Sequence, residues 1–195
     1  TYSGDGTSGL YAWGAQIETG LTATSYIATG SGTESRTAGG LVMDLSVHDE
    51  IVNPAGFTVV IAVDGTNLVG VTGDKMLVSG GVDGDNRIYI QACNGNWRVV
   101  VFVGASPVIV ATLGAVAAGR TVLAVSFQVG ACLGVMQGGA MVSLGTLAEI
   151  PAIPELCVGV YSQISIYQPG APIELVVPYP RACTAGELRA FVNNF

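Results

Sequence analysis

This sequence predicts an all-β chain: an antiparallel β-sandwich or jelly roll, with one short C-terminal helix. Three observations carry that expectation. Valine-rich and isoleucine-containing runs recur along the chain, and β-branched residues suit a pleated, half-buried surface. The chain holds 28 glycines, many in dipeptides that fall between those runs and supply the positive φ of tight turns. Within the runs apolar residues alternate, which is the period of a strand with one face in a core.

The elements follow in order. A Gly/Ser/Thr-rich linker at 31–40 leads into a first strand at 41–45. The run 57–63 is Phe57-Thr58-Val59-Val60-Ile61-Ala62-Val63 and ends at Asp64-Gly65. Strands are expected next at 75–79, 87–91, 97–103 and 108–113, with Gly80-Gly81, Asp83-Gly84 and Asn94-Gly95 as corners. The runs 121–128, 133–137 and 140–144 follow, the last two parted by Gly138-Gly139. Strands at 156–161 and 173–178 complete the set. Only 184–193 reads as a helix: Thr184 can cap it, Glu187 stands three residues on as its capping-box partner, and Leu188 and Phe191 give it an apolar side.

Composition narrows the partners. Charged residues are 11% of the chain, Lys75 is the sole lysine, and the formal net charge is -7. That excludes nucleic acid and anionic membrane, which need clustered Lys and Arg. The mean hydropathy is +0.55, and 121–148 holds no charged residue. A membrane span is still rejected, because Ser126, Gln128, Gln137 and Ser143 interrupt an alternating pattern. A membrane barrel would need aromatic girdles, and aromatics are only 7%. Apolar surface buried between subunits is the expected explanation. Cys93, Cys132, Cys157 and Cys183 lack metal-ligand spacing and read as free, buried small hydrophobes, with disulfides as the alternative.

Candidate chemistry is sparse. Glycoside hydrolysis needs two carboxylates flanking one bond, and no strand carries acidic residues at even spacing. Glu149 and Glu155 flank prolines, Glu174 is alone, and His48 lies beside Asp49 and Glu50 with no poised nucleophile. No catalysis is expected. Asp83, Asp85 and Asn86 offer hard oxygen ligands for a possible calcium ion, or simply form an acidic hairpin tip. The run Asp44, Asp49 and Glu50 allows the same two readings. For a saccharide, Trp97 with Asn94, Asn96, Arg98 and Tyr89 forms the leading candidate site, and Tyr161 and Tyr167 near Gln163 and Gln168 form a second. The alternative for Trp97 is packing in the core or at an interface.

Two resemblances add to this. Gly4-Asp5-Gly6-Thr7-Ser8-Gly9-Leu10-Tyr11-Ala12-Trp13-Gly14-Ala15-Gln16-Ile17-Glu18, followed by Ala23-Thr24-Ser25-Tyr26-Ile27, resembles a segment that recurs in bacteriophage tail fibres and tailspikes, where it closes one β-domain and leads into the next. Further on, 57–63 and Arg120-Thr121-Val122-Leu123-Ala124-Val125-Ser126-Phe127 resemble core strands of the concanavalin A-like (laminin G-like) jelly rolls. The stretch from Ala131 to Val142 resembles that family's hairpin, and Tyr179 to Leu188 its closing strand and short helix, with Cys183 where an aliphatic residue is usual.

The resemblances imply end strands of a preceding domain at 1–30, a linker at 31–40 and a jelly roll at 41–195. Beginning at Thr1 without a methionine, the chain reads as a processed or excerpted C-terminal piece. They also imply a virion adhesion protein, assembled in the host cytoplasm and acting outside the cell. Its expected form is a homotrimer that contacts other virion proteins and host surface polysaccharide. The alternative is a purely architectural virion component, such as a head decoration or trimerisation cap, with no ligand. A depolymerase with its catalytic part upstream and a secreted bacterial lectin are further readings.

Overall fold

The computed structural model describes residues 41–44, 55–81, 85–151, 153, 155–159 and 171–195. The segments 1–30 and 31–40, and His48, Asp49, Glu50, Asp83, Tyr161, Gln163, Tyr167 and Gln168, lie outside them. In chain order the strands are β1 (Leu41–Asp44), β2 (Gly56–Asp64), β3 (Asp74–Gly80), β4 (Arg87–Cys93), β5 (Asn96–Val103) and β6 (Ser106–Ala115). Then come β7 (Arg120–Gln128), β8 (Cys132–Met136), β9 (Val142–Gly145), β10 (Glu155–Val158) and β11 (Ile173–Tyr179), followed by one helix, α1 (Ala185–Asn194). They form a sandwich of two antiparallel sheets, a six-stranded one ordered β1-β10-β3-β4-β5-β6 and a five-stranded one ordered β11-β2-β7-β8-β9.

The expected corners are of two kinds. Asn94-Gly95 joins β4 to β5 as a true hairpin, with φ of 49° and 73° at its two central residues, the mirror-image turn that suits strand twist. Asp64-Gly65, read from sequence as a turn signal of the same kind, instead lets the chain leave one sheet for the other. Asp64 accepts hydrogen bonds from the Thr66 amide (2.9 Å) and hydroxyl (2.6 Å), folding the chain into a short 3-10 turn at Thr66–Leu68. A side chain at Gly65 would collide with the Ala117 carbonyl, so the close backbone approach selects glycine there.

The main core fills the space between the sheets. Phe57, Val59, Ile61 and Val63 of β2 meet Trp97, Val99 and Val101 of β5, with Leu123, Val125 and Phe127 of β7 alongside. Phe57 and Phe127 are register partners and stack at 4.9 Å. On the opposite face of β2 and β7, Val60, Ala62, Val122 and Ala124 pack under Cys183 and α1 through Leu188 and Val192. Strands buried on both sides read as unbroken apolar runs, which explains why these two segments do. Part of the apolar excess assigned above to subunit contacts is therefore used within one chain. All four cysteines are buried. Among the described residues no helix is long and apolar enough to cross a membrane.

Two polar devices fix α1 on its sheet. Fully buried Thr58 donates from Oγ1 to the Arg181 carbonyl (3.0 Å) and accepts from the Cys183 amide (2.9 Å). Thr58→Val strands that buried amide, so we expect a loss of about 1–3 kcal/mol, read as a shifted urea or thermal midpoint. At the helix start the capping box expected from sequence is present: Thr184 Oγ1 accepts from the Glu187 amide, and Glu187 accepts from the Thr184 amide at 2.8 Å. Arg181 also grips the Glu187 carboxylate through two nitrogens, at 3.1 and 2.5 Å.

Those bonds, from Arg181 first and then Thr184, hold the Glu187 carboxyl at about 2, down from 4.5. A carboxylate depressed by folding adds stability that is whole above its unfolded value and drains away as pH falls towards its folded value. Acidification from about pH 4.5 to about pH 2 is thus expected to lower the urea midpoint. Glu187→Gln is expected to remove its share of that slope while leaving the neutral-pH fold intact.

Candidate functional site

The outer face of the six-stranded sheet follows from alternation. In β4, Ile88, Ile90 and Ala92 enter the core, so Arg87, Tyr89 and Gln91 project the other way. In β5, Trp97, Val99 and Val101 enter the core, leaving Arg98, Val100 and Phe102 outside. The register pairs these outward residues: Gln91 with Arg98, Tyr89 with Val100, Arg87 with Phe102. The rows extend to Met76 of β3 and to Pro107 and Val110 of β6. With Asp74 they line a groove of about 470 Å³.

One end of the groove is aromatic and cationic. Met76, Tyr89 and Val100 form a small apolar cluster against Phe102. Tyr89 meets Phe102 edge-on at 6.1 Å, and the Arg87 guanidinium lies over the Phe102 ring at 4.0 Å and the Tyr89 ring at 5.6 Å. Val110, 55% exposed, forms the rim on β6.

The other end is polar. Gln91, only 3% exposed, donates from Nε2 to Asp74 Oδ1 at 3.0 Å, and that bond fixes which way its amide faces. Its Oε1 is buried without a hydrogen-bond partner among the described residues. Arg98 donates from Nη1 to Cys93 Sγ at 2.8 Å. Burial first, then a hydrogen bond with Asp74, push the Cys93 thiol up. Arg98 therefore faces a neutral sulfur, and neither salt bridge among the described residues, Arg120–Glu174 and Arg181–Glu187, involves it.

Of the five saccharide-site residues named from sequence, the fold brings Tyr89 and Arg98 into the groove. Trp97 is corrected: it is fully buried in the core and cannot stack on a ligand. Asn94 and Asn96 serve the hairpin instead. Asn94 Oδ1 accepts from the Gly73 amide at 3.0 Å, and Asn96 Nδ2 donates to the Asn94 carbonyl at 3.1 Å. Of the calcium candidates, Asp83 lies outside the described residues. The Asp85 carbonyl accepts from the Ala105 amide, and Asn86 Oδ1 from the Gly104 amide at 3.3 Å, so both hold the β5–β6 turn. Among the described residues no three His, Cys, Asp or Glu side chains converge as a metal site.

Sequence reasoning missed Asp74, Arg87, Gln91 and Phe102. The signal was present in parity: a charged Arg98 faces away from the core, so its neighbour Trp97 faces into it. Arg87, Tyr89 and Gln91, two residues apart, then share the outer face.

No protein-family model and no curated protein matches this sequence. Among solved structures the chain is similar to the IT-sialidase CBM40 of Ruminococcus gnavus bound to α2,3-sialyllactose. The TM-score is 0.57 at 14% identity, covering 82% of this chain and 96% of that one. It is also similar to domain 4 of AbnA, an extracellular arabinanase from Geobacillus stearothermophilus in complex with arabinotriose. There the TM-score is 0.56 at 19% identity, covering 73% and 69%. Mouse laminin α1 domains LG4-5 match with a TM-score of 0.51 at 8% identity, over 66% of this chain and 36% of that one. These likenesses, each under 25% identical, are of fold: a two-sheet antiparallel jelly roll.

Proposed function

We propose that this domain is a non-catalytic carbohydrate-binding jelly roll, and that it holds a saccharide in the outer groove of the six-stranded sheet. The observation that carries the reading is the groove's two-part lining. Aromatic and aliphatic surface at one end suits the C–H face of a sugar ring, and Asp74, Gln91 and Arg98 at the other suit its hydroxyls. Two of the structures similar in fold hold saccharides, sialyllactose and arabinotriose. Asp74 is the one carboxylate among the residues lining the groove, whereas glycoside hydrolysis uses a pair.

The setting we propose is a bacteriophage fibre or tailspike, on the strength of the opening segment's resemblance. There a homotrimer would present several shallow sites at once, and multivalency would compensate for weak single ones. A second reading, an architectural virion component without ligand, is favoured by a different observation. Residues 99–148 hold one charged side chain, Arg120, and Val108, Val110 and Val129 are exposed within that stretch.

Glycan-array binding by the full 195-residue chain, followed by amide chemical-shift mapping, tests the choice. Retention of at least one saccharide, with shifts centred on β4 and β5, is the expected result. Silence across host-derived polysaccharides, together with a stable trimer by light scattering, would leave the architectural reading standing.

A further inference from the structure

On the carbohydrate-binding reading above, we infer that the groove takes a neutral saccharide through two adjacent ring hydroxyls and discriminates against acidic sugars. The argument is an inventory of donors and acceptors at its polar end. Gln91 has committed its amide nitrogen to Asp74 and keeps a buried, unpartnered Oε1, an acceptor and nothing else. Asp74 is likewise acceptor-only when ionised, and the bonds from Gln91 and the Cys93 thiol leave it lone pairs to spare. Arg98, the cross-strand partner of Gln91, contributes several N–H groups, of which the Cys93 sulfur takes one. The site thus offers two acceptors beside one donor group.

A hydroxyl both donates and accepts. Two neighbouring hydroxyls on one ring can each accept from Arg98 while one donates to Gln91 Oε1 and the other to Asp74. A carboxylate, sulfate or phosphate only accepts. It would pair with Arg98 but leave the buried Oε1 unmet, and it would bring a second negative charge towards Asp74. A buried polar group left unpaired is what makes a site built around hydroxyls selective.

A glycan array bearing neutral and acidic saccharides, then calorimetric titration of the hits, tests this on the full chain. Neutral sugars are expected to bind at least about tenfold more tightly than acidic ones on the same core, lactose against 3′-sialyllactose for example. That ratio corresponds to ~1.4 kcal/mol. Gln91→Met keeps the groove floor filled and removes the acceptor; it is expected to weaken the neutral hits about tenfold and the acidic ones less than twofold. A monodeoxyfluoro series of the best neutral hit reads the same contact on the unaltered protein, and fluorine at either of two adjacent positions is expected to lower affinity about tenfold. Tighter binding of acidic sugars, or a deoxyfluoro series with no sensitive adjacent pair, overturns the inference and leaves carbohydrate binding in place. An array that retains no saccharide overturns both.

Discussion

Trp97→Ala is expected to destabilise the domain by ~3–5 kcal/mol, the range for emptying a large aromatic site in a packed core. Trp97 is fully buried in the main core cluster, against Val99, Leu113 and Val116 among others. For a chain of this size each kcal/mol moves the melting temperature by ~2–4 °C, so a fall of roughly 6–20 °C should appear in calorimetry. The ring's Nε1 has no hydrogen-bond partner among the described residues. Trp97→Phe therefore breaks no hydrogen bond, and its cost should be smaller than that of alanine. Because Trp97 points away from the groove, whatever protein remains folded should bind saccharide with unchanged affinity. A variant that melted normally but lost its ligand would put the ring on the surface and contradict the assignment of faces on β5.

Phe102→Ala should do the reverse. The ring is half-buried on the outer face, carries the Arg87 guanidinium at 4.0 Å and meets Tyr89 edge-on. Its removal takes away the apolar platform and lets Arg87 swing into solvent, losing contacts worth ~0.5–1.5 kcal/mol each. We expect saccharide affinity to drop about tenfold, ~1.4 kcal/mol, with a smaller change in melting temperature than Trp97→Ala produces. Titration of the two variants side by side checks the pair. Equal affinity of Phe102→Ala and the parent protein would remove this face as the binding surface.

Much of the fold is written locally. Each strand announces itself by β-branched residues, and the Asn94-Gly95 corner by the only residue types that enter positive φ cheaply. The Thr184–Glu187 pair marks the helix start from four residues. What stays hidden is long-range. Whether Asp64-Gly65 turns a hairpin or changes sheets depends on β2 finding β7 and β11, more than fifty residues away. The β5–β6 corner falls between two strands expected from sequence, but its form stays hidden because Ala105 adopts φ 65° without being glycine or asparagine.

The candidate site was legible in part. Tyr89 and Arg98 stand out as a ring and a charge. Gln91 does not, since a lone amide in an apolar strand looks like surface until burial and its bond to Asp74 are known. Trp97 misled because aromatic size says nothing about direction, and only the neighbouring charge settles which side it takes.

Among the described residues the helix covers one sheet and leaves the outer face of the other open, and every groove residue of β4 and β5 alternates with a core residue. Inheritance of shape and inheritance of taste are consequently written at different positions of the same strands. On the carbohydrate-binding reading, exchanges at Met76, Gln91, Val100 or Phe102 retune what a descendant of this chain recognises, while Leu77, Ile90, Val99 and Val101 go on specifying the same scaffold.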